Sequence, residues 1–415
     1  MIIKGKNLAI LVIVLFTGLI YANSLRNSFI WDDDSHISET NLIKSWDNFP
    51  LLFTKSHLTV SSELTNSDRT DMESGEASYR PVCTITFFID YFFWQLNPFG
   101  YHLTNLLLHI ANCILLYLLA LSITKNPKIA IFASLLFASH PVNSEAVGVI
   151  AFREDLLAVL FMLSSFILFI KLDTVSRIKK GCLYLSSLLF FLLALFSKEA
   201  AIVFPPLLLL YDYFFKKFPR SIREYFKLRY LGYAIVLGFY CFIRFFILVN
   251  PDKPGVVYLI NNFYTRVFTM LKVFSIYIRW ILFPVGICPV LPDSPTLIAY
   301  SITDPLVITA ILLIVIIFIF TVRLRKREVL ISFGILWFFI AIFPVSNIFY
   351  NLPNHIAGRY LYFSVIGFCF LAAALLAKLP RKVYRNSMII ILYFILYLPL
   401  SGIRPGKMIT YYGIK

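Results

Sequence analysis

What most constrains this sequence is the recurrence of uncharged apolar runs approaching twenty residues, separated by short basic clusters. A bilayer core of about 30 Å is crossed by about 20 helical residues. Hydrocarbon offers no partner to open backbone groups, so such runs fold as helices. Runs near 6–23, 101–122, 128–147, 155–172, 182–197, 200–215, 230–249, 302–322, 329–347, 358–378 and 386–403 fit this reading. They predict an all-α integral membrane protein with about eleven transmembrane helices. Composition agrees: 59% of the 415 residues are hydrophobic and 14% charged, against roughly 45–50% and 25% in soluble domains. Soluble globular, disordered, collagenous and coiled-coil classes are thereby excluded.

The formal charge of +16 does not indicate nucleic acid, because the basic residues cluster between apolar runs, as the positive-inside rule describes. No nucleic-acid partner is expected. The six cysteines stand singly, without the spacing of a zinc or iron–sulfur site, so neither a metal nor a cofactor is expected. Residues 1–23 have a basic start and an apolar run, but Tyr21-Ala22-Asn23-Ser24 is a poor cleavage site. The segment reads as an uncleaved first helix.

Loop charges set the topology. The stretch 263–283 carries Arg266, Lys272 and Arg279, and charges are costly in mid-membrane. With it as an interfacial or re-entrant helix, 22 of the 38 Lys and Arg collect on one face. The N-terminus is then cytoplasmic and the C-terminus external. Residues 1–404 form one transmembrane domain and 405–415 a short external tail. The first external loop, 24–100, holds eleven of the 22 acidic residues. Its Ser/Thr/Glu/Asp-rich middle, 59–78, lacks apolar content, and its apolar end, 82–96, is too short to span and suits an interfacial helix.

Ionisable residues gather at the external helix ends, where such groups are functional candidates. Asp32 and Asp33 follow the first span beside Phe29-Ile30-Trp31, where a half-buried carboxylate is placed to act as a general base. On the second span His102, Asn105, His109 and Asn112 share one face. For His109 and Asn112 the simplest role is interhelical hydrogen bonding, whereas His102 lies at the external mouth. His140-Pro141-Val142-Asn143-Ser144-Glu145 and Arg153-Glu154-Asp155 join two spans outside, Lys198 and Glu199 form a tight external turn, and Arg359 opens a later span. Arg153, Lys198 and Arg359 therefore point to a phosphate site facing a base, lined by His102, His140, Glu145, Asp155 and Glu199. Guanidinium and ammonium groups stabilise charge developing on a leaving phosphate.

Eight ordered segments carry a family resemblance: Phe29-Ile30-Trp31-Asp32-Asp33, Tyr79-Arg80-Pro81-Val82, Asn97-Pro98-Phe99-Gly100-Tyr101-His102-Leu103-Thr104-Asn105, His140 to Val147, Arg153-Glu154-Asp155-Leu156-Leu157, Ser197-Lys198-Glu199, Phe283-Pro284-Val285-Gly286 and Arg359-Tyr360-Leu361-Tyr362. Together they make residues 20–400 resemble the transmembrane and tetratricopeptide-repeat-containing (TMTC) protein O-mannosyltransferases of the GT-C glycosyltransferase class. The resemblance implies a GT-C multi-pass bundle and a polyprenyl-phosphate-linked sugar donor. It implies transfer of a hexose such as mannose, with inversion, to an acceptor hydroxyl on the extracytoplasmic side. The acceptor would be Ser or Thr of protein, or a glycolipid in a lipid-modifying relative. It places the catalytic carboxylate at Asp32 or Asp33 and the lipid phosphate on the cations. It also implies a cell (inner) membrane location, or the endoplasmic reticulum in a eukaryote. The helical repeats such proteins carry after the last span are not expected here. The rival from another class is a lipid-linked-sugar transporter or flippase, against which the charges lie at one face and no internal repeat is visible.

Overall fold

The computed structural model describes residues 2–53, 79–216, 222–247, 262–287, 297–348 and 354–380. The run at 386–403, the 405–415 tail and the 59–78 stretch lie outside the described residues. Regular structure among the described residues is helical. In chain order the helices are α1 (Ile2–Tyr21), α2 (Pro81–Trp94), α3 (Pro98–Thr124), α4 (Pro127–Ser139), α5 (Ser144–Gly148), α6 (Arg153–Lys171), α7 (Arg177–Ser197), α8 (Phe204–Phe215), α9 (Ile222–Phe242), α10 (Phe263–Leu282), α11 (Pro305–Leu324), α12 (Val329–Ile342) and α13 (Val365–Leu376).

Four segments are long and apolar enough to cross a bilayer: Gly5–Arg26, Pro98–Thr124, Lys179–Ser197 and Pro305–Leu324. Shorter apolar helices accompany them at Pro81–Trp94, Pro127–Ser139, Arg229–Phe242, Val329–Val345 and Val365–Leu376. An all-α membrane protein fits this content, but eleven full-length spans are not seen among the described residues. The differences have local causes. The run 128–147 breaks after Ser139 because His140 precedes Pro141, and a residue before proline is driven out of the helical region. His140 is accordingly extended, at φ −67° and ψ 123°. A 3₁₀ turn, Pro141–Asn143, and the one-turn α5 follow. Between α7 and α8 the chain is extended at Lys198 and then forms the 3₁₀ turn Glu199–Val203. The run 263–283 is the continuous helix α10, whose Lys272 Nζ donates to Asp304 Oδ2 at 3.1 Å, at the cap of α11.

Side-chain spacing decides what each helix packs. On α1, Ala9, Ile13, Thr17 and Ile20 are buried and Leu8, Leu11, Leu15 and Leu19 exposed, opposite faces of a 3.6-residue period. The buried face lies on α3 and α4. On α3 the polar residues face inward: Asn112 Nδ2 donates to Leu156 O at 2.9 Å, and His109 Nδ1 lies 2.8 Å from Tyr362 Oη. These are the interhelical bonds expected of that face. Helices α12 and α13 meet at Gly334 and Gly367, where a Cβ on either glycine would overlap the other's carbonyl oxygen.

Candidate functional site

The segment after α1 is pinned by Asp33. Its side chain is 0% exposed, and its two oxygens accept N–H bonds from Ala151 at 2.7 Å and Ile30 at 3.1 Å. Burial pushes this carboxyl up to about 7 against those two bonds, and the charges of Asp32 and Asp34 raise it further. Asp32 beside it is half-buried, and its carboxylate makes no hydrogen bond or ion pair with any described residue. The chain continues into a π-type turn, Asp34–Ser38, which brings His36 under the electrostatic influence of Asp32, Glu154 and Arg80. Desolvation lowers the His36 pKa, so the imidazole favours its neutral form.

The first turn of α6 supplies Arg153, Glu154 and Asp155, with both carboxylates near the positive end of the helix dipole. Lys198 caps the C-terminus of α7, where a cation is favoured. Its Nζ donates to Asp155 Oδ2 at 2.7 Å and lies 3.0 Å from Glu154 Oε1. Arg80 caps α2 ahead of Pro81 and bridges two carboxylates. Its Nη1 bonds Glu154, while Nη2 and Nε donate to Glu199 at 2.7 and 3.1 Å. Burial alone would raise the Glu199 carboxyl, but the Arg80 guanidinium holds it well below the usual carboxylate range. The result is an alternating chain: Glu199, Arg80, Glu154, Lys198, Asp155.

Arg359 closes the arrangement. Its Nη1 donates to Glu145 Oε1 at 2.8 Å and its backbone N–H to Glu145 Oε2 at 2.9 Å. A Cβ at residue 358 would lie 2.9 Å from that same Oε2, so Gly358 lets the backbone come this close. The guanidinium also lies 3.8 Å above the Phe152 ring. Burial raises the Glu145 carboxyl to about 6, opposed by Arg359. Arg359 and Asp155 also influence each other electrostatically, which links the Glu145 pair to the chain.

The structure thus gathers Lys198, Asp155, Glu199, Arg359 and Glu145, with Asp32 and Asp33 alongside. It separates three other expected residues. Arg153 is 0% exposed and faces protein groups on every side. Its Nη1 pairs with Asp90 at 2.6 Å and donates to Thr86, its Nε donates to Asn105 and its Nη2 to Tyr101 O. His140 holds its own turn: Val142 N–H donates to Nδ1, and Nε2 lies 3.1 Å from Ile281 O. His102 is fully buried beside the Asn27–Ser28 backbone. Sequence reasoning underweighted Arg80, Glu154 and His36. Arg80 had a signal in its place before Pro81, which bars it from the helix interior. Among the described residues no three His, Cys, Asp or Glu side chains converge as a metal-ligand set.

No family model matches the sequence, and no solved structure matches it. The chain is 28% identical to a protein O-mannosyl-transferase of Caenorhabditis elegans over 408 residues, 95% of this chain and 55% of that protein. It is 28% identical to protein O-mannosyl-transferase TMTC1 of Homo sapiens over 73% of this chain and 39% of that protein. It is also 35% identical over 154 residues to protein O-mannosyl-transferase tmtc2 of Xenopus laevis, 37% of this chain and 17% of that protein. The chain spans about half the length of the first of these curated relatives, and less of the others. The homologues of this chain are named as TMTC-family protein O-mannosyltransferases, at 28% identity over most of its length.

Proposed function

We propose that the chain is an inverting membrane glycosyltransferase that moves a hexose, mannose by its homologues' names, from a polyprenyl phosphate to a hydroxyl of protein. In this reading Asp32 takes the proton of the acceptor hydroxyl as its oxygen attacks the anomeric carbon. The bond from that carbon to the phosphate oxygen breaks, and the polyprenyl phosphate leaves with the electron pair. Arg80, Lys198 and Arg359 receive the growing negative charge, a role in which preorganised cations in a poorly hydrated site are effective. Each is already paired with carboxylate, so the donor phosphate binds by exchanging partners. Arg153, saturated by its own surroundings, holds α2, α3 and α6 in register instead.

The observation that carries this reading is the division of labour between adjacent carboxylates. Asp33 has both oxygens on backbone N–H groups, and Asp32 has none of its own so engaged. The site also lies at the helix ends opposite the basic ones. Helix α6 begins at Arg153 in the site and ends at Lys171, and α7 runs from the Arg177–Lys180 cluster to Lys198. That supports an extracytoplasmic site, facing the lumen of the endoplasmic reticulum in a eukaryote or the outside of a bacterial inner membrane.

The test is transfer itself. Membranes containing the full chain, incubated with labelled polyprenyl-phosphate mannose, are expected to place label in acid-precipitable, protease-sensitive material. Label confined to a lipid extract would replace the protein acceptor by a glycolipid. Movement of donor across the bilayer without transfer would favour the carrier reading.

A further inference from the structure

Trp31 stands directly before Asp32 and has φ +53°. A bulky aromatic rarely adopts this left-handed region. The other positive-φ residues other than glycine, among those described, are Gln95, Lys125 and Asn347. Gln95 and Lys125 cap helix ends, and asparagine tolerates the region. Trp31 has no such excuse, and its conformation is imposed from both sides. Asp33 grips the Ile30 N–H, the Asp33 N–H donates to Ile30 O, and the Asp34 N–H donates to Trp31 O. Its neighbours are anchored. Phe29 meets Tyr101 edge-on at 5.6 Å, and Ile30 packs on Val149, Ala151 and Phe152. The indole of Trp31 is instead 37% exposed and makes no ring contact or hydrogen bond with any described residue.

Strained residues persist where the surrounding structure over-determines them, and they cluster at ligand sites. The strain here leaves a flat aromatic surface open one residue from an unengaged carboxylate. Three successive carboxylates follow it, so the surroundings are too polar for a lipid-tail contact. Small-molecule sites pair aromatic walls with a few polar groups. A hexopyranose presents patches of C–H to a ring face, whose negative quadrupole attracts them, and hydroxyls to a carboxylate. We propose that Trp31 is the platform on which the donor hexose stacks, fixing the sugar beside Asp32. The inference rests on the reading of the chain as a hexosyltransferase. It makes Trp31 a sugar-binding residue rather than a membrane anchor.

The experiment uses the full chain in lipid nanodiscs and a short-chain polyprenyl-phosphate mannose as the probe. Trp31→Leu keeps an apolar side chain and removes the ring face. The donor KM is expected to rise about tenfold, with kcat within threefold, acceptor KM unchanged and the thermal midpoint unchanged. Trp31→Phe is expected to restore most of the loss. Trp31→Gly suits the backbone at positive φ, so its midpoint is expected to stay level or rise while donor KM increases. Overturning results are a Trp31→Leu variant with donor KM within twofold of wild type, or Phe and Leu variants equally impaired. A Trp31→Gly variant that loses stability at unchanged KM would make the ring a packing element and also overturn the proposal. Wild-type transfer abolished by Asp32→Asn keeps the hexosyltransferase reading standing when stacking fails. No transfer or donor binding by wild type would remove both.

Discussion

A carboxylate with both oxygens on backbone N–H groups and no exposure is in a contradictory position, since the bonds favour its ionised form and burial disfavours it. At Asp33 burial prevails, raising the group from 3.8 to about 7. An acid whose folded-state pKa is raised binds more protons folded than unfolded, so its contribution to stability falls as pH rises between those two values. Asp33→Asn removes the titration. The stability of wild type minus that of the variant is therefore expected to decline from about pH 4 to about pH 7, by at most about 1.4 kcal/mol per pH unit, and to level above. Denaturation midpoints of both proteins across that range measure it, and a flat or rising difference would refute it. Asp32 and Asp33 were legible as a pair in the sequence, through their position after an apolar run. Their separate roles were not, because the partner of Asp33 is Ala151, 118 positions away. The same distance in sequence hid the closed surroundings of Arg153, whose partners Asp90, Thr86 and Asn105 lie on two other helices.

Among the elements, hydropathy located helices well and their ends poorly. The apolar end of the first external loop, 82–96, became α2, with Cys83, Phe87 and Phe88 inward and Ile89, Phe92 and Phe93 exposed. The run 128–147 was apolar throughout, so its break at His140-Pro141 is recorded by backbone sterics and not by hydrophobicity. The close approach of α12 and α13 was also invisible, because a helix that is apolar all round gives no sign of which residue touches its neighbour. Gly334→Ala and Gly367→Ala test that contact. Each Cβ would meet backbone, not a side chain that can swing aside, so each is expected to cost about 1–3 kcal/mol. Small residues that let helices approach closely are a recurrent basis of packing in membranes. The thermal midpoint of the purified protein measures the effect, and an alanine variant as stable as wild type would show that the two helices have room to part.

At the scale of the molecule, charge is sorted between two ends. One carries Arg80, Glu154, Lys198, Asp155, Glu199, Glu145 and Arg359. The other carries a smaller node, where Arg229 and Lys216 pair with Asp173 and Arg229 also with Asp212, joining the ends of α6 and α8 to α9. The sequence predicted this sorting from the basic clusters alone, because charges are tolerated only near helix ends and the alternation of spans carries them to one face or the other. It did not reveal that the cations of the candidate site are pre-paired, with five carboxylates, Asp32 included, set against Arg80, Lys198 and Arg359. That excess of negative charge leaves Asp32 as the group without a cation of its own, and the proposed mechanism turns on it. The most direct measurement is the rate of hexose transfer at saturating donor by wild type, Asp32→Asn and Asp33→Asn. The Asp32→Asn variant is expected to lose about 10²–10⁴ in kcat with donor binding and thermal midpoint retained, and Asp33→Asn to show its main effect on stability. An Asp32→Asn variant that transfers hexose within a fewfold of the wild-type rate would contradict the account.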